Sequence, residues 1–323
     1  MTQPSPGHLL LDTLQPMSRY EFVPPSERPH PKVPSDPLET RRLPPVTREE
    51  RFEKSYPHRR RLTRWLCEGF EPQTARCCLI GPGCGAQVIL QDLLTHFSHV
   101  CLIDIEQQNL ERIFEDQPVD QERLQTEVLH DFAGITSALE HLRERASKEE
   151  LKFHDVQEGI EAAQNLAAWP VPSDFDIVLS TEGLGLVLSA AAAIVGHQHP
   201  SLPDFHHAIR TAHIRALLKT LKPQGYGMVV NQLTNSKVMP SLPKVPPDKL
   251  ELVLSEVVQK GLAPIGVSPI QLRDMLLHDQ GIKNDLSQVH MLAPWIFDTG
   301  NLQFAMSGVS FRKAAAANPA PSD

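Results

Sequence analysis

Apolar residues in this chain fall at helical spacing from about residue 48 and then into short continuous runs. Leu62, Trp65, Leu66 and Phe70 recur at intervals of three and four, which predicts one apolar face of a helix. The next segment, RCCLI, is short and apolar throughout. A central parallel strand covered on both faces has this pattern. From about residue 48, we therefore expect a helix that leads into a buried strand.

The same alternation continues through most of the chain. A stretch at about 135–168 has helical spacing but is too long for a simple crossover, which predicts two helices or an insertion. Further strands are predicted at HVCLIDI, LQTEVLHDF, FDIVLST and KPQGYGMVVNQLT, and further helices at AQVILQDLLTHF, QQNLERIFED, GLGLVLSAAAAIVG and HHAIRTAHIRALLKTL. Strands that alternate with helices indicate an α/β fold with a parallel sheet.

The closing segment has a different pattern. SQVHMLAPWIF and NLQFAMSGVSFRK are two strand-like runs separated by DTG, which predicts an antiparallel hairpin at one edge of the sheet. Together with the five preceding strands, it gives a doubly wound α/β fold. We expect a mostly parallel seven-stranded sheet with a C-terminal antiparallel hairpin and helices on both faces.

Proline divides the chain into regions. Of the 29 prolines, 12 lie within the first 57 residues, so residues 1–47 are expected to form a Pro-rich, largely disordered arm. Alternatively, this arm wraps the domain or binds a partner in extended form. Residues 48–313 would form the folded domain, with helical insertions near 135–168 and 183–208. Residues 314–323 would be a disordered tail.

Charge and cysteine content narrow the classes of partner and compartment. The formal net charge of −8 provides no basic field for nucleic acid, and the local cluster HRRRLTR is interpreted as a solvated helix face. Five cysteines without a CxxC pair predict buried, reduced thiols. No apolar run reaches the roughly 20 residues of a membrane span, and no signal pattern is present, so we expect a cytoplasmic protein without membrane contact.

Three glycines follow the first buried strand. Gly81, Gly83 and Gly85 allow a sharp turn and a close approach of a ligand to the backbone. Asp104 ends the next strand, where a carboxylate accepts hydrogen bonds from ribose hydroxyls. These residues predict a nucleotide cradle. The G-x-G-x-x-G/A dinucleotide fingerprint, completed by Ala86, and a G-x-G-x-G pattern fit equally well.

Five motifs occur in order between about residues 60 and 312. They are LIGPGCG, VCLIDIEQQNL, VLHDF, FDIVLSTEGL and LLKTLKPQGYGMVV. In this order, and with the terminal hairpin, the sequence resembles the class I S-adenosylmethionine-dependent methyltransferases, without matching one subfamily. The resemblance implies a Rossmann-like fold and S-adenosyl-L-methionine as the cofactor.

The resemblance also implies a set of cofactor contacts. Asp104 would bind the ribose, and Asp131 would face the adenine amino group. The full set is Gly81, Pro82, Gly83, Gly85, Asp104, Ile105, Asp131, Phe132 and Ser180. Two positions depart from the family pattern. Leu79 stands where many members have an acid that orients the methionine end of the cofactor, and Gln224 replaces a glycine of the turn before the fifth strand.

The catalytic machinery has a weaker signature than the cradle. Methyl transfer needs mainly an aligned nucleophile, with a base if the acceptor arrives protonated. Glu182 is the candidate for positioning or deprotonating an acceptor, although it could equally cap the next helix or pair with an arginine. Asn231 and Gln232 are candidates for the pocket. The histidines of 197–213 match no tight metal signature, so no metal site is predicted, and a lid carrying a general base is the preferred interpretation.

The functional prediction is methyl transfer from S-adenosylmethionine to a small-molecule or protein acceptor. The absence of a basic surface disfavours a nucleic acid acceptor. The first alternative is an NAD(P)-dependent Rossmann oxidoreductase, which the ambiguous glycine fingerprint also fits. The second is a non-catalytic binding or scaffold protein on the same fold, motivated by Leu79. In that case the Pro-rich arm would recruit the partner.

Overall fold

Seven strands form one sheet within the residues that the computed structural model describes, which are 46–83, 87–120, 122–128, 136–164, 173–181, 183–260 and 268–315. The strands are β1 (Arg76–Ile80), β2 (His99–Asp104), β3 (Leu124–Val128), β4 (Phe175–Thr181), β5 (Leu221–Asn235), β6 (Leu286–Asp298) and β7 (Gln303–Lys313). Their order is β3-β2-β1-β4-β5-β7-β6. The strands β1 to β5 pair in parallel, and β7 is antiparallel to both neighbours. The predicted fold class is confirmed.

Helices cover both faces of this sheet. They are α1 (Arg48–Lys54), α2 (Tyr56–Cys67), α3 (Leu90–His96), α4 (Gln107–Asp116), α5 (Thr136–Ala146), α6 (Phe153–Gln164), α7 (Gly183–Val195), α8 (Leu202–Thr220), α9 (Leu250–Gln259) and α10 (Pro269–His278). Residues of α2, α3 and α4 form one apolar cluster with the sheet, and residues of α5 to α8 and α10 form another. The stretch at 135–168 contains two helices, α5 and α6, as predicted for its described part.

The alternation of side chains along β1 explains why the strand is apolar throughout. Cys77 and Leu79 belong to the cluster that includes α2 and α3, and Cys78 and Ile80 belong to the cluster that includes α7 and α8. Successive side chains of a strand point to opposite faces, so a strand covered on both sides needs an apolar residue at every position. The three described cysteines of β1 and β2 are buried free thiols, as expected.

The direction of winding reverses between β1 and β4. From β1 the chain adds β2 and β3 on one side, and it then crosses to add β4 and β5 on the other. Ligands of open α/β sheets bind in the crevice outside the carboxyl ends of strands at such a switch point. Here the crevice lies between Gly81, which follows β1, and Thr181, which ends β4.

Three details of the sequence prediction are wrong. The helix predicted to begin at Ala86 begins at Leu90, because Ile89 is extended, and Ala86 itself lies outside the described residues. The cluster HRRRLTR is only partly a solvated face, since His58 and Arg59 are both 1% exposed. The segment between β5 and β6, for which no elements were predicted, contains α9 and α10.

The turn predicted before the fifth strand lies inside β5 itself. Gln224 has a φ of +63°, in the left-handed region where glycine is usual, and it lies within the irregular start of β5. A Cβ atom on the next residue, Gly225, would lie 2.9 Å from the carbonyl oxygen of Lys222. The turn therefore keeps its glycine at the second position and accommodates glutamine at the first.

Candidate cofactor site at the carboxyl edge of the sheet

Gly81 joins the ends of three strands. Its N–H donates to the carbonyl oxygen of Ile103 at 2.8 Å, and its carbonyl oxygen accepts from Thr181 Oγ1 at 2.6 Å. Its φ is +66°, and a Cβ atom here would lie 2.8 Å from the carbonyl oxygen of Thr181. Glycine is required at this position for its backbone conformation and for the close packing of β1 against β4.

Asp104 is anchored by three donors at the end of β2. Its Oδ2 accepts from the N–H of Gly83 at 3.1 Å, and its Oδ1 accepts from the N–H of Glu106 at 3.1 Å and from Asn109 Nδ2 at 2.8 Å. The residue is 4% exposed. A carboxylate offers about four acceptor positions, so the anchored group keeps its orientation and still has capacity for a ligand hydroxyl.

Ile105 gives this edge an apolar surface. It follows the buried Asp104 directly and is 40% exposed, which makes it one of the few large apolar residues open to solvent among those described. A flat aromatic ligand group would cover such a side chain and remove its apolar area from water. Ile105 and Asp104 therefore offer an adjacent pair of surfaces, one for a ring and one for hydroxyl groups.

Ser180, one residue before the end of β4, has a protein partner. Its Oγ lies 3.0 Å from Nε2 of His213 on α8, and both residues are 1% exposed. Burial lowers the pKa of the His213 imidazole to about 3, so the ring is neutral at physiological pH. The predicted role of Ser180 in cofactor binding stays a prediction, because the hydroxyl faces a buried imidazole.

The remaining predicted site residues have varied environments. Pro82 is buried beside the glycine turn, and Leu79 is 2% exposed within an apolar cluster, so it presents no polar group to the edge. Gly183 opens α7, and a side chain at this position would meet open space. Gly85, Asp131, Phe132 and Glu182 lie outside the described residues.

The N-terminal amides of α3 are occupied by side chains. The N–H of Ile89 donates to Thr63 Oγ1 at 2.8 Å, and the N–H of Leu90 donates to Gln117 Oε1 at 2.8 Å. Gln117 also donates through Nε2 to the carbonyl oxygen of Val88 at 2.9 Å. A dinucleotide fold uses amides at the start of the helix after the glycines to bind a pyrophosphate, and two amides at the start of α3 already have acceptors here.

A buried histidine links the glycine turn to the terminal hairpin. Trp295 Nε1 donates to His58 Nδ1 at 2.8 Å, so the ring proton lies on Nε2, which donates to Gln87 Oε1 at 2.5 Å. The His58 ring also stacks on Phe297 with centroids 4.1 Å apart. Burial lowers the pKa of His58 to about 4. The chain of contacts therefore requires a neutral imidazole.

Two histidines of 197–213 belong to the core and not to a lid. Most of this segment lies in α8, where His206 and His213 are each 1% exposed and His206 contacts the carbonyl oxygen of Leu188. In the described part of the chain, no three His, Cys, Asp or Glu residues are grouped as a metal would require. Among the same residues, no helix combines the length and apolarity needed to cross a membrane.

Sequence reasoning missed several residues that build this edge. Asn109 anchors Asp104, and Thr63 and Gln117 occupy the amides of α3. None of them belongs to a motif. The spacing of Asn109, five residues after Asp104 and on the first turn of α4, was the one available signal, because that turn lies beside the end of β2.

The strand order, the antiparallel seventh strand and the glycine cradle at the switch point together decide the architecture. The chain has the class I methyltransferase fold. Its Gly81 and Asp104 lie side by side, since the register pairs Ile80 with Ile103. The class I fold is therefore present together with the two features that the sequence resemblance placed at its cofactor edge.

Comparisons with solved structures find several similar chains at low identity. The chain resembles the N-methyltransferase NodS from Bradyrhizobium japonicum WM9, in complex with S-adenosyl-L-homocysteine (11% identity, 86% of this chain and 92% of that chain, TM-score 0.41). It also resembles a putative S-adenosyl-L-methionine-dependent methyltransferase from Methanococcus maripaludis (13%, 85% and 92%, 0.39). A third similar structure is the YcgJ protein from Bacillus subtilis (13%, 79% and 97%, 0.38).

No protein-family model matches the chain, and no curated protein matches its sequence. All three of these TM-scores are below 0.5, and all three identities are 13% or lower. The assignment of the class I fold accordingly rests on the strand order of this sheet.

Proposed function

We propose that the protein binds S-adenosyl-L-methionine at the carboxyl edge of β1, β2 and β4 and transfers its methyl group to an acceptor. The observation that carries the proposal is the combination of an anchored carboxylate at Asp104 with two amides at the start of α3 that are already occupied by side chains. An adenosine ligand without a pyrophosphate needs the carboxylate for its ribose and does not need free amides. S-adenosylmethionine is such a ligand.

The residues present fit the cofactor at several points. Asp104 would accept hydrogen bonds from the ribose hydroxyls, and Ile105 would cover one face of the adenine. Gly81 and Gly83 would let the methionine portion lie against bare backbone, because each has a positive φ and no side chain. Following the family resemblance, Asp131 and Phe132 would complete the adenine site, and Gly85 would complete the turn.

When bound, the cofactor supplies a methyl group on a positively charged sulfur. The acceptor lone pair would form the new bond to carbon as the carbon–sulfur electron pair returned to sulfur, and an acceptor proton, where present, would be lost to solvent or a base. The chain contributes alignment, because Thr181 and Gly81 fix the ends of β4 and β1 relative to each other. Glu182 remains the candidate for a base.

A nicotinamide-dependent oxidoreductase fits this edge less well. Its pyrophosphate would need the amides at the start of the helix after the glycines, and Thr63 and Gln117 occupy the amides of Ile89 and Leu90. Freeing these amides would leave buried polar groups without partners, at a cost of about 1–3 kcal/mol for each group.

Calorimetric titration tests the proposal directly. The protein is titrated with S-adenosylmethionine, S-adenosylhomocysteine and NAD, and the titrations are repeated with Asp104→Ala and with Asp120→Ala. Asp120 is the matched control, since it is exposed and also accepts from a backbone N–H two residues on. We expect both sulfur ligands to bind, and Asp104→Ala to weaken them by roughly tenfold or more, because hydrogen bonds to a charged group are lost.

The alternatives give different results. NAD binding in place of the sulfur ligands would favour the oxidoreductase. If the folded protein bound none of the three ligands, the non-catalytic scaffold would be favoured. Equal losses in Asp104→Ala and Asp120→Ala would place the cofactor away from the end of β2.

A further inference from the structure

A groove of about 190 Å³ lies between α9, α10 and the strands β5 to β7. Small-molecule sites typically have volumes of about 300–1,000 Å³, so this groove is suited to a small ligand or to one part of a larger one. Most of its described lining is apolar, and two of the apolar residues, Ile270 and Met291, are 42% and 41% exposed. The lining includes Glu251, Leu233, Ile270, Met291 and Ser307. Exposed apolar residues gathered around one concavity indicate a binding surface.

Strand register places this groove close to the candidate cofactor edge. Thr181, which contacts Gly81, pairs with Val230 of β5, and the next residue of β5, Asn231, pairs with Ser307 of β7. Neighbouring strands lie about 4.8 Å apart, so Ser307 is about 10 Å from the end of β4 across the sheet. Ser307, a residue of the groove lining, is therefore two strands away from this edge.

Asn231 lies between the groove and the edge, and one of its atoms is unsatisfied. The residue is 2% exposed, and its Oδ1 atom is buried without a hydrogen-bond partner. It is flanked by two lining residues, its register partner Ser307 and, two positions along β5, Leu233. A buried acceptor without a donor is destabilising, and a ligand hydroxyl or amine would supply the missing donor.

The charge of the lining narrows the ligand further. Glu251 is the single charged residue among the described residues that line the groove, and no cation accompanies it. An acidic ligand would find no partner here, whereas an amine or a neutral molecule would. The donor that best satisfies Asn231 Oδ1 is a hydroxyl or an amine, and an amine that has given up its ammonium proton to solvent or to a base also has the lone pair that methyl transfer requires.

We propose that this groove binds the apolar body of the methyl acceptor, a small molecule that carries an amine or a hydroxyl group. The inference rests on the proposed function, because the acceptor identity presupposes methyl transfer. Asn231 positions the heteroatom toward the end of β4, and the apolar lining between α9, α10 and β6 holds the remainder of the molecule.

The probes are primary n-alkylamines from butylamine to heptylamine, titrated into the full chain in the presence of S-adenosylhomocysteine. We expect affinity to rise about fourfold for each added methylene, as burial of an apolar chain requires. Transfer of a labelled methyl group from S-adenosylmethionine to heptylamine is measured in parallel. It should rise along the same series.

Two variants on one helix provide a matched pair. Ile270→Lys places a cation in the groove, whereas Leu277→Lys makes the same change on α10 at a residue that is 39% exposed and outside the groove. We expect Ile270→Lys to weaken heptylamine at least tenfold and to leave the affinity for S-adenosylhomocysteine unchanged. Leu277→Lys should change neither. Asn231→Leu should weaken every amine by a similar factor and keep the dependence on chain length.

Several outcomes would overturn the inference. They are an affinity independent of chain length, equal losses in Ile270→Lys and Leu277→Lys, and a dimer in sedimentation that Ile270→Lys dissociates, which would make the groove an interface between copies. Capture of residues 1–45 by a photocrosslinker at position 270 would assign the groove to the arm. Amine binding without S-adenosylhomocysteine binding would defeat the proposed function, whereas S-adenosylhomocysteine binding without amine binding would defeat only this inference.

Discussion

The hydroxyl of Thr181 donates a hydrogen bond of 2.6 Å to the carbonyl oxygen of Gly81. The bond joins residues 100 positions apart and ties the end of β4 to the turn after β1. Since the winding of the sheet reverses between these two strands, the bond spans the crevice in which α/β proteins bind ligands. The separation of the two strand ends is therefore fixed by the chain itself.

Gly81→Ala should abolish detectable binding of S-adenosylhomocysteine and lower the free energy of unfolding by about 2–3 kcal/mol. The new Cβ would lie 2.8 Å from the Thr181 carbonyl oxygen, and alanine at a φ of +66° is strained. Calorimetric titration and urea unfolding measure the two effects. Gly183→Ala is the control, because its Cβ would meet open space. Matching behaviour of the two variants would show that the close packing is unimportant.

Asn109→Ala should weaken S-adenosylhomocysteine several-fold, because the Asp104 carboxylate loses the 2.8 Å donor that helps orient it. The stability cost should be about 1 kcal/mol, the typical net value of one hydrogen bond. Gln108→Ala, at an exposed neighbour on the same helix, should leave both quantities unchanged. An unchanged affinity in Asn109→Ala would mean that the other two donors suffice to hold Asp104.

Ser180→Ala should lower stability by about 1–2 kcal/mol and change the affinity for S-adenosylhomocysteine less than twofold. The substitution removes the Oγ contact with the buried imidazole of His213 without touching an exposed surface. Urea unfolding and titration again provide the readouts, with Ser287→Ala at an exposed strand position as the control. A tenfold loss of affinity would instead establish Ser180 as a cofactor ligand.

Acid should destabilise the protein through its buried histidines. The pKa of His58 is about 4 in the folded chain, against an ordinary value of 6.5, mainly because burial disfavours the charged ring. Between these values the unfolded chain binds more protons. The free energy of unfolding therefore falls as pH drops below 6.5, and this contribution, about 3 kcal/mol, is fully lost below about pH 4.

Urea unfolding at pH 7.5 and 5.0 measures this contribution. In His58→Gln, the side-chain amide can still accept from Trp295 but does not titrate, so the loss of stability between the two pH values should shrink by about 1–2 kcal/mol. His290→Gln, at an exposed position of β6, should keep the full loss. An unaltered pH dependence in His58→Gln would show that the proton is taken up elsewhere.

The periodicity of apolar residues predicted the fold because the sheet is covered on both faces. In β1 every core-facing position is apolar, and the strand limits agree with the structure. The start of α3 could not be predicted in this way. Ile89 and Val88 continue the apolar pattern, and the chain stays extended there because Thr63, a residue distant in sequence, accepts the N–H of Ile89.

The residues of the candidate site likewise include some that local sequence predicts and others that depend on distant residues. Gly81 and Asp104 belong to a local sequence pattern that can be interpreted without the rest of the chain. Asn109, Thr63 and His58 act through partners on other elements, and no periodicity distinguishes a buried histidine in HRRRLTR from a solvated one. Such residues emerge only when the strands and helices are assembled.

The bond between Trp295 and His58 spans 237 residues. During synthesis from the N-terminus, α2 and β1 leave the ribosome long before β6 and β7 exist. His58, which contacts Gln87, therefore gains its hydrogen bond from Trp295 only after β6 docks. Until β7 pairs, β5 is an open edge that can recruit another chain. Products of this protein that are truncated or stalled before β7 should therefore aggregate rather than retain partial activity, and competence for ligand binding should be acquired only after β7 has been synthesised.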